Sequence, residues 1–383
     1  MLKESNNSNF QWTLVLSFLI IIRLLILVFA LIGANHFPTM KQITLNETYR
    51  SIPGVLARYD SNYYISIAQK GYSGDEKKLA FFPIYPTLIR MLSNGFSQSF
   101  YWSGFLISNI SIILSSLLLW LQVKFEYDAS IAWGSIITLN LFPTSFFFSA
   151  IYTESLFLLF SILVYWFAYR EKYFLSAVFV SLAAVTRVNG LLLIIIPIVE
   201  IFVHKNEKAG IKILFTSIIS LLGAIVYSSY LWITFGTPIA FYFAQEPFKR
   251  KIATPFQSIF DSIAVAVCGY GGFEKNWFMR VVSLHDFIFV SLFITSAVVG
   301  FRILRRSLFL YLLAALLLIL ISHGPYTLGL YAGSRFVLIL FPSFVIFGYI
   351  LQQFPRAKWI YWTGSFFLLF FLTAWFGTGR WVA

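Results

Sequence analysis

Long apolar runs separated by short polar stretches recur along the whole chain. Runs of roughly 20 apolar residues are what a helix needs to cross a bilayer. After a polar tail at 1–10, the pattern predicts spans at 11–33, 100–122, 129–149, 154–169, 211–235, 284–301, 307–323, 336–352 and 359–376. The run 173–203 is interrupted at Arg187-Val188-Asn189-Gly190 and predicts two half-length helices turning there. Such short helices stand in a membrane only where they line a cavity or a thinned region. The reading is an all-α, polytopic membrane protein of about eleven transmembrane helices in a single domain, 1–383. The first run is too long for a signal peptide and lacks a small-residue cleavage site, so it is expected to stay as the first span.

Two segments break the pattern. In 35–99 the stretch Arg58-Tyr59-Asp60-Ser61-Asn62-Tyr63-Tyr64-Ile65-Ser66-Ile67-Ala68-Gln69-Lys70-Gly71 reads as a helix stopped by Gly71. Its apolar stripe holds Tyr63, Tyr64, Ile67 and Ala68, and Asp60 lies on that same stripe. An acid is the wrong residue there for packing. Pro83 and Pro86 then forbid a regular spanning helix, so the segment is expected to hold interfacial helices. The second segment, 236–283, is a large polar loop.

Composition and charge sharpen the class. The chain is 59% hydrophobic and 11% charged, against about 25% charged in soluble domains. A net charge of +13 would suggest nucleic acid in a soluble protein. Here Lys124, Arg170, Lys172, Lys205, Lys208, Lys212, Arg302, Arg305, Arg306, Arg356 and Lys358 sit in alternate short loops, which the positive-inside rule assigns to the cytoplasm. The N-terminus is then cytoplasmic, and 35–99, the 149–154 turn, the Arg187 turn, 236–283 and 322–335 share the outer face. Cys268 is the only cysteine, so no internal disulfide forms. Asn46-Glu47-Thr48 fits a glycosylation sequon.

The candidate site residues gather on that face. Asp60 suits a general base at the membrane–water boundary; the plainer reading is a solvated acid paired with Arg58. Glu154 begins a span, where an acid also simply offsets the helix dipole. Arg187 lies in an apolar run, where arginine costs at least about 2.5 kcal/mol and marks function, here as an anion partner. Arg335 is either a second such partner or an anchor at a span end. Lys249, Arg250 and Lys251 read as a phosphate clamp or as a patch for lipid headgroups. His323 is the one histidine in a loop of interest, and no histidine shows metal spacing. No Asp-x-Asp pair or dinucleotide fingerprint is present.

Several of these segments, in this order, resemble the PIG-V family of the GT-C glycosyltransferase superfamily. Arg58-Tyr59-Asp60 with Ile67-Ala68 and Gly71-Tyr72 is similar to the family's Arg-Trp-Asp…Ile-Ala…Gly-Tyr element. Phe81-Phe82-Pro83-Ile84-Tyr85-Pro86 resembles its Phe-Phe-Pro-x-x-Pro element, and Tyr152-Thr153-Glu154 and Thr186-Arg187-Val188-Asn189-Gly190 resemble further segments. Gly236-Thr237-Pro238 through Gln245 and Arg250, and Ser334-Arg335-Phe336, look like prokaryotic members. Tyr59 departs from the usual Trp but stays aromatic. The resemblance implies an inverting, GT-C-like transferase moving a sugar, mannose first, from a polyprenyl-phosphate donor to a glycolipid or glycan hydroxyl. By that resemblance Asp60 is the base; Arg58, Tyr63, Tyr64, Glu154, Arg187, Asn189, Gln245, Arg250, His323 and Arg335 are expected to form the substrate-binding set. No cofactor is expected; a divalent metal would need Asp60 and Glu154 to meet. The alternative is a transporter or flippase for a lipid-linked sugar.

Overall fold

Heptad-like spacing of apolar residues decides how the first helix packs. Val15, Leu19, Ile22, Ile26 and Ala30 are buried on one stripe of α1 (Leu2–His36). The structure, a computed structural model, describes residues 2–37, 47–204 and 208–382. Asn46, Lys205 and the 38–46 part of the first outer segment lie outside them. The α1 stripe faces the last helix, and a Cβ on Gly33 would fall 1.9 Å from the Ala374 carbonyl oxygen. Small residues are what let membrane helices approach this closely.

After two 3₁₀ turns come α2 (Asp60–Lys70) and α3 (Ile84–Leu92). Both expected short helices form, and α2 ends at Gly71 with φ 72°. α4 (Phe100–Glu126) and α5 (Ala129–Leu141) follow. The span expected at 129–149 is shorter than read. Its helix stops at Leu141, and Pro143 explains this, because the residue before a proline is pushed out of the α region; Phe142 sits at φ −55°, ψ 136°. Residues 142–153 then run as irregular, fully buried backbone, which a membrane tolerates only inside protein.

α6 (Glu154–Tyr169) and α7 (Tyr173–Ala184) lead to the break at Arg187, a 3₁₀ segment Val188–Ile194, and α8 (Ile195–Val203). The two half-length helices turn where the sequence placed the turn. α9 (Ala209–Phe235) buries only Thr216, Ser220, Tyr227 and Leu231, so most of it faces outward. The outer segment after it holds α10 (Ala240–Phe243), β1 (Lys251–Ile252) and α11 (Pro255–Cys268). Then come α12 (Trp277–Ile303), α13 (Arg306–Ile321), β2 (Ser322–His323), α14 (Gly333–Phe336), α15 (Phe341–Gln353) and α16 (Pro355–Gly377). Antiparallel pairing of Lys251 with His323 ties the segments after α9 and after α13 together. The expected span 336–352 is bent by 85° between Gly333–Ile339 and α15.

Among the described residues 5 helices are long and apolar enough to cross a bilayer, or 6 with the bent pair, beside shorter apolar helices. The protein is an integral, multi-pass, all-α membrane protein; the expected count of eleven spans is not fixed by these lengths. Arg23 sits in the middle of α1, buried, with Nη1 on Ser149 Oγ at 3.1 Å and Nη2 on Asn140 Oδ1 at 3.0 Å. Asn140 lies at the C-terminal end of α5, whose dipole there is negative. That dipole and two neutral acceptors stand in for a counter-ion.

Candidate active site

Backbone geometry sets the first functional side chain. Tyr59 caps α2 at φ 47°, a region costly for a residue with a Cβ. Its hydroxyl donates to the Gly379 carbonyl at 2.5 Å, and its ring meets Trp381 edge-on at 4.8 Å. The C-terminal tail thereby fixes the turn that puts Asp60 at the start of α2, where the helix dipole favours a carboxylate. The Asp60 side chain keeps 24% of its surface exposed.

Arg335 joins two acids that are far apart in sequence. Its Nη1 donates to Asp60 Oδ2 at 2.6 Å and its Nε to Glu154 Oε1 at 2.5 Å. The same Oε1 accepts from Arg187 Nη1 at 2.8 Å, and that nitrogen also reaches Thr153 Oγ1 at 3.1 Å. Glu154 is fully buried, and its Oε2 has no partner. Aromatic faces carry the cations. Arg335 lies 4.3 Å from the Tyr152 ring centre, while Arg187 and Arg250 share the Phe336 ring at 5.7 and 4.9 Å.

Arg250 is the exception in this cluster. No carboxylate lies within ion-pair distance among the described residues, and its Nη1 is buried without a hydrogen-bond partner. Burial first, then the positive field of Arg335, pushes the guanidinium down to about 10, while Asp60 opposes the shift. Counting Asp286, whose charge also acts on Arg250, three arginines face three carboxylates, yet none of these acids pairs with Arg250. Buried polar groups are nearly always paired, so an orphaned guanidinium nitrogen asks for an anion.

The remaining expected residues divide. Tyr63 stacks on Phe81 at 4.5 Å and meets Phe248 edge-on, close enough to Asp60 to feel its charge. Burial first, then Asp75 and Asp60, raises its phenol, which keeps it a neutral donor. The Tyr64 hydroxyl lies 3.3 Å from Thr153 Oγ1. Asn189 follows Arg187 and its buried Oδ1 has no partner. Gln245 is half-buried in the turn before Glu246–Phe248.

Two expected contacts are placed otherwise. The Arg58 guanidinium is committed to three backbone carbonyls, those of Gly54, Tyr49 and Gly377, so it pins the outer segment instead of a substrate. His323 is fully buried, with Nε2 2.9 Å from Asp261 Oδ2 and Nδ1 2.8 Å from the Gly324 carbonyl oxygen, so both ring nitrogens are used. Asp60 and Glu154 do meet, but through Arg335, and a cation between them would sit against a guanidinium. Among the described residues no three His, Cys, Asp or Glu side chains converge. Sequence reasoning missed Tyr152, Thr153 and Phe336 as parts of the site, since hydroxyls and rings at span ends look like ordinary packing.

The fold is an all-helical membrane bundle in which an acid and arginines converge beside the segments that link its helices. The family model "Mannosyltransferase (PIG-V)" matches residues 12–235, more than half of the chain. The chain belongs to the PIG-V mannosyltransferase family. No curated protein sequence matches it. Among solved structures it is similar to ArnT from Cupriavidus metallidurans bound to undecaprenyl phosphate, with TM-score 0.54, 12% identity, and coverage of 90% of this chain and 62% of ArnT. The apo form of ArnT gives TM-score 0.53 and 11% identity with the same coverage, 90% and 62%. The Archaeoglobus fulgidus oligosaccharyltransferase with zinc and sulfate gives TM-score 0.46 and 10% identity, covering 92% of this chain and 53% of that one.

Proposed function

We propose that the protein is an inverting mannosyltransferase that takes its sugar from a polyprenyl-phosphate donor and passes it to a glycolipid or glycan hydroxyl on the extracytoplasmic or lumenal face. The observation that carries this reading is the buried, unpartnered Nη1 of Arg250 beside the Asp60–Arg335 pair. A phosphate at headgroup depth supplies the missing partner, and its prenyl tail stays in lipid. ArnT, of like fold, has been solved with such a lipid phosphate.

Arg335 holds Oδ2 of Asp60, and the other oxygen is left for the acceptor. The acceptor hydroxyl attacks the anomeric carbon from the face opposite the phosphate. Its proton passes to Asp60, the bond from the anomeric carbon to the phosphate oxygen breaks, and the lipid phosphate departs with the electron pair. Arg250, Arg335 and Arg187 stabilise that departing anion. Asn189 and Tyr63 offer polar contacts for sugar hydroxyls, and Gln245 is placed to do the same. A transporter or flippase would need an open polar path through the bundle, whereas Arg23 with Asn140 and Ser149 is packed shut.

The test is turnover of polyprenyl-phosphate mannose by purified protein. Asp60→Asn keeps the shape and removes the base, so transfer per folded molecule is expected to fall about 10²–10⁴-fold, beside a loss of stability from the broken Arg335 pair. Wild-type rates in that variant would end the proposal for Asp60.

A further inference from the structure

We infer that Asp286, which pairs directly with neither Arg335 nor Arg250, is the positioning residue for Arg335; its kinetic consequence rests on the transferase reading above. Arg335 sits on α14, a helix of 4 residues. So short a helix does not repay its own nucleation, and its first N–H groups have no partners within it. Asp286, reaching over from α12, supplies them. Its Oδ2 accepts from the Ala332 N–H at 2.9 Å, and its Oδ1 accepts from the Ser334 N–H at 3.0 Å and the Ser334 hydroxyl at 2.5 Å. The carboxylate is 1% exposed.

The turn needs this hold. Ala332 has φ 64°, a left-handed conformation that a Cβ makes costly and that persists only when contacts impose it. From the opposite side the Thr144 hydroxyl donates to the Ser334 carbonyl at 2.9 Å. The turn also lies flat on α12, because a Cβ on Gly333 would fall 2.6 Å from Val290 Cγ2. Arg335 then reaches Asp60 and Glu154 with hydrogen bonds of 2.6 and 2.5 Å, lengths that leave no slack for a displaced backbone.

A carboxylate is required at 286 and an amide is not equivalent. Asp286 presents acceptors on both oxygens, whereas asparagine would turn an NH₂ donor toward one of the donating N–H groups. Asp286→Asn should therefore loosen the turn while leaving the bulk of the core in place.

The experiment is a double-mutant cycle on the full-length protein in nanodiscs, with Asp286→Asn and Arg335→Lys made singly and together. Asp286→Asn alone is expected to lower kcat for polyprenyl-phosphate mannose about 10–100-fold. In the Arg335→Lys background the same change is expected to cost less than about threefold, because the group being positioned is already altered. Asp286→Glu, which keeps two acceptor oxygens, is expected to recover part of the loss. Equal losses in both backgrounds, or an unchanged kcat, would overturn the inference. If wild-type protein shows no turnover, the transferase reading fails by itself. The cycle is then read in unfolding temperature, where non-additive shifts support the positioning role and additive shifts refute it.

Discussion

The two ends of the helix bundle use the same residue types and treat them in opposite ways. α6 runs between them: Glu154 opens it, Arg170 follows its end, and its 16 residues at about 1.5 Å each separate the two by roughly 24 Å. At the Arg170 end the acids Glu200 and Glu126 are fully engaged. The Glu200 oxygens accept from Arg305 Nη2 at 2.8 Å, Arg305 Nε at 3.2 Å and Ser307 Oγ at 2.5 Å. Both Glu126 oxygens accept from Tyr165, at 2.7 and 2.6 Å, and Gln122 adds a further donor. At the Glu154 end, Glu154 Oε2, Asn189 Oδ1 and Arg250 Nη1 are buried with no partner. A closed network is a structural clasp, and a network with vacancies of both signs is built to receive something. Charge content alone does not separate the two; satisfaction does.

The comparison breaks first at its largest expected effect. Glu154→Ala leaves Arg335 and Arg187 without their shared acceptor, a buried pair whose loss costs about 3–5 kcal/mol. Both transfer and unfolding temperature are expected to collapse, read by turnover and by thermal unfolding in detergent; retained activity would mean that the cluster is not the site. Glu200→Gln should cost the same few kcal/mol of stability, yet the protein that stays folded should transfer at close to the wild-type rate. A fall in kcat per folded molecule would show that the closed end takes part in turnover.

Much of this was legible in the chain because charged residues within apolar runs stand out. Asp60, Arg187 and Arg335 were visible for that reason, as was the stop at Gly71. Asp286 offered the same signal, an acid inside the run read as the span 284–301, and was passed over. The breaks at Leu141 and Leu340 were hidden, because buried irregular backbone is as apolar as a helix; Pro143 and Pro342 were the only marks of them. Arg58 and His323 read as substrate contacts for a different reason. Sequence shows a polar group but not whether neighbouring carbonyls or acids already satisfy it, and here they do. The grouping of Arg187 and Arg250 on Phe336 joins three distant segments and has no local signature.

The most direct measurement is equilibrium binding of a polyprenyl phosphate to wild-type protein, Arg250→Ala and Arg305→Ala in nanodiscs. Removing a cation with no hydrogen bond or ion pair should leave the unfolding temperature close to that of wild type, since only its contact with the Phe336 ring is lost. Arg250→Ala is expected to weaken binding about 10–100-fold, the loss of one to two charge-assisted hydrogen bonds. Arg305→Ala, at the closed end, is expected to destabilise the fold and leave the Kd of the folded protein within about threefold. Unchanged binding in Arg250→Ala, or an equal loss in both variants, would contradict the assignment of the open end as the lipid-phosphate site.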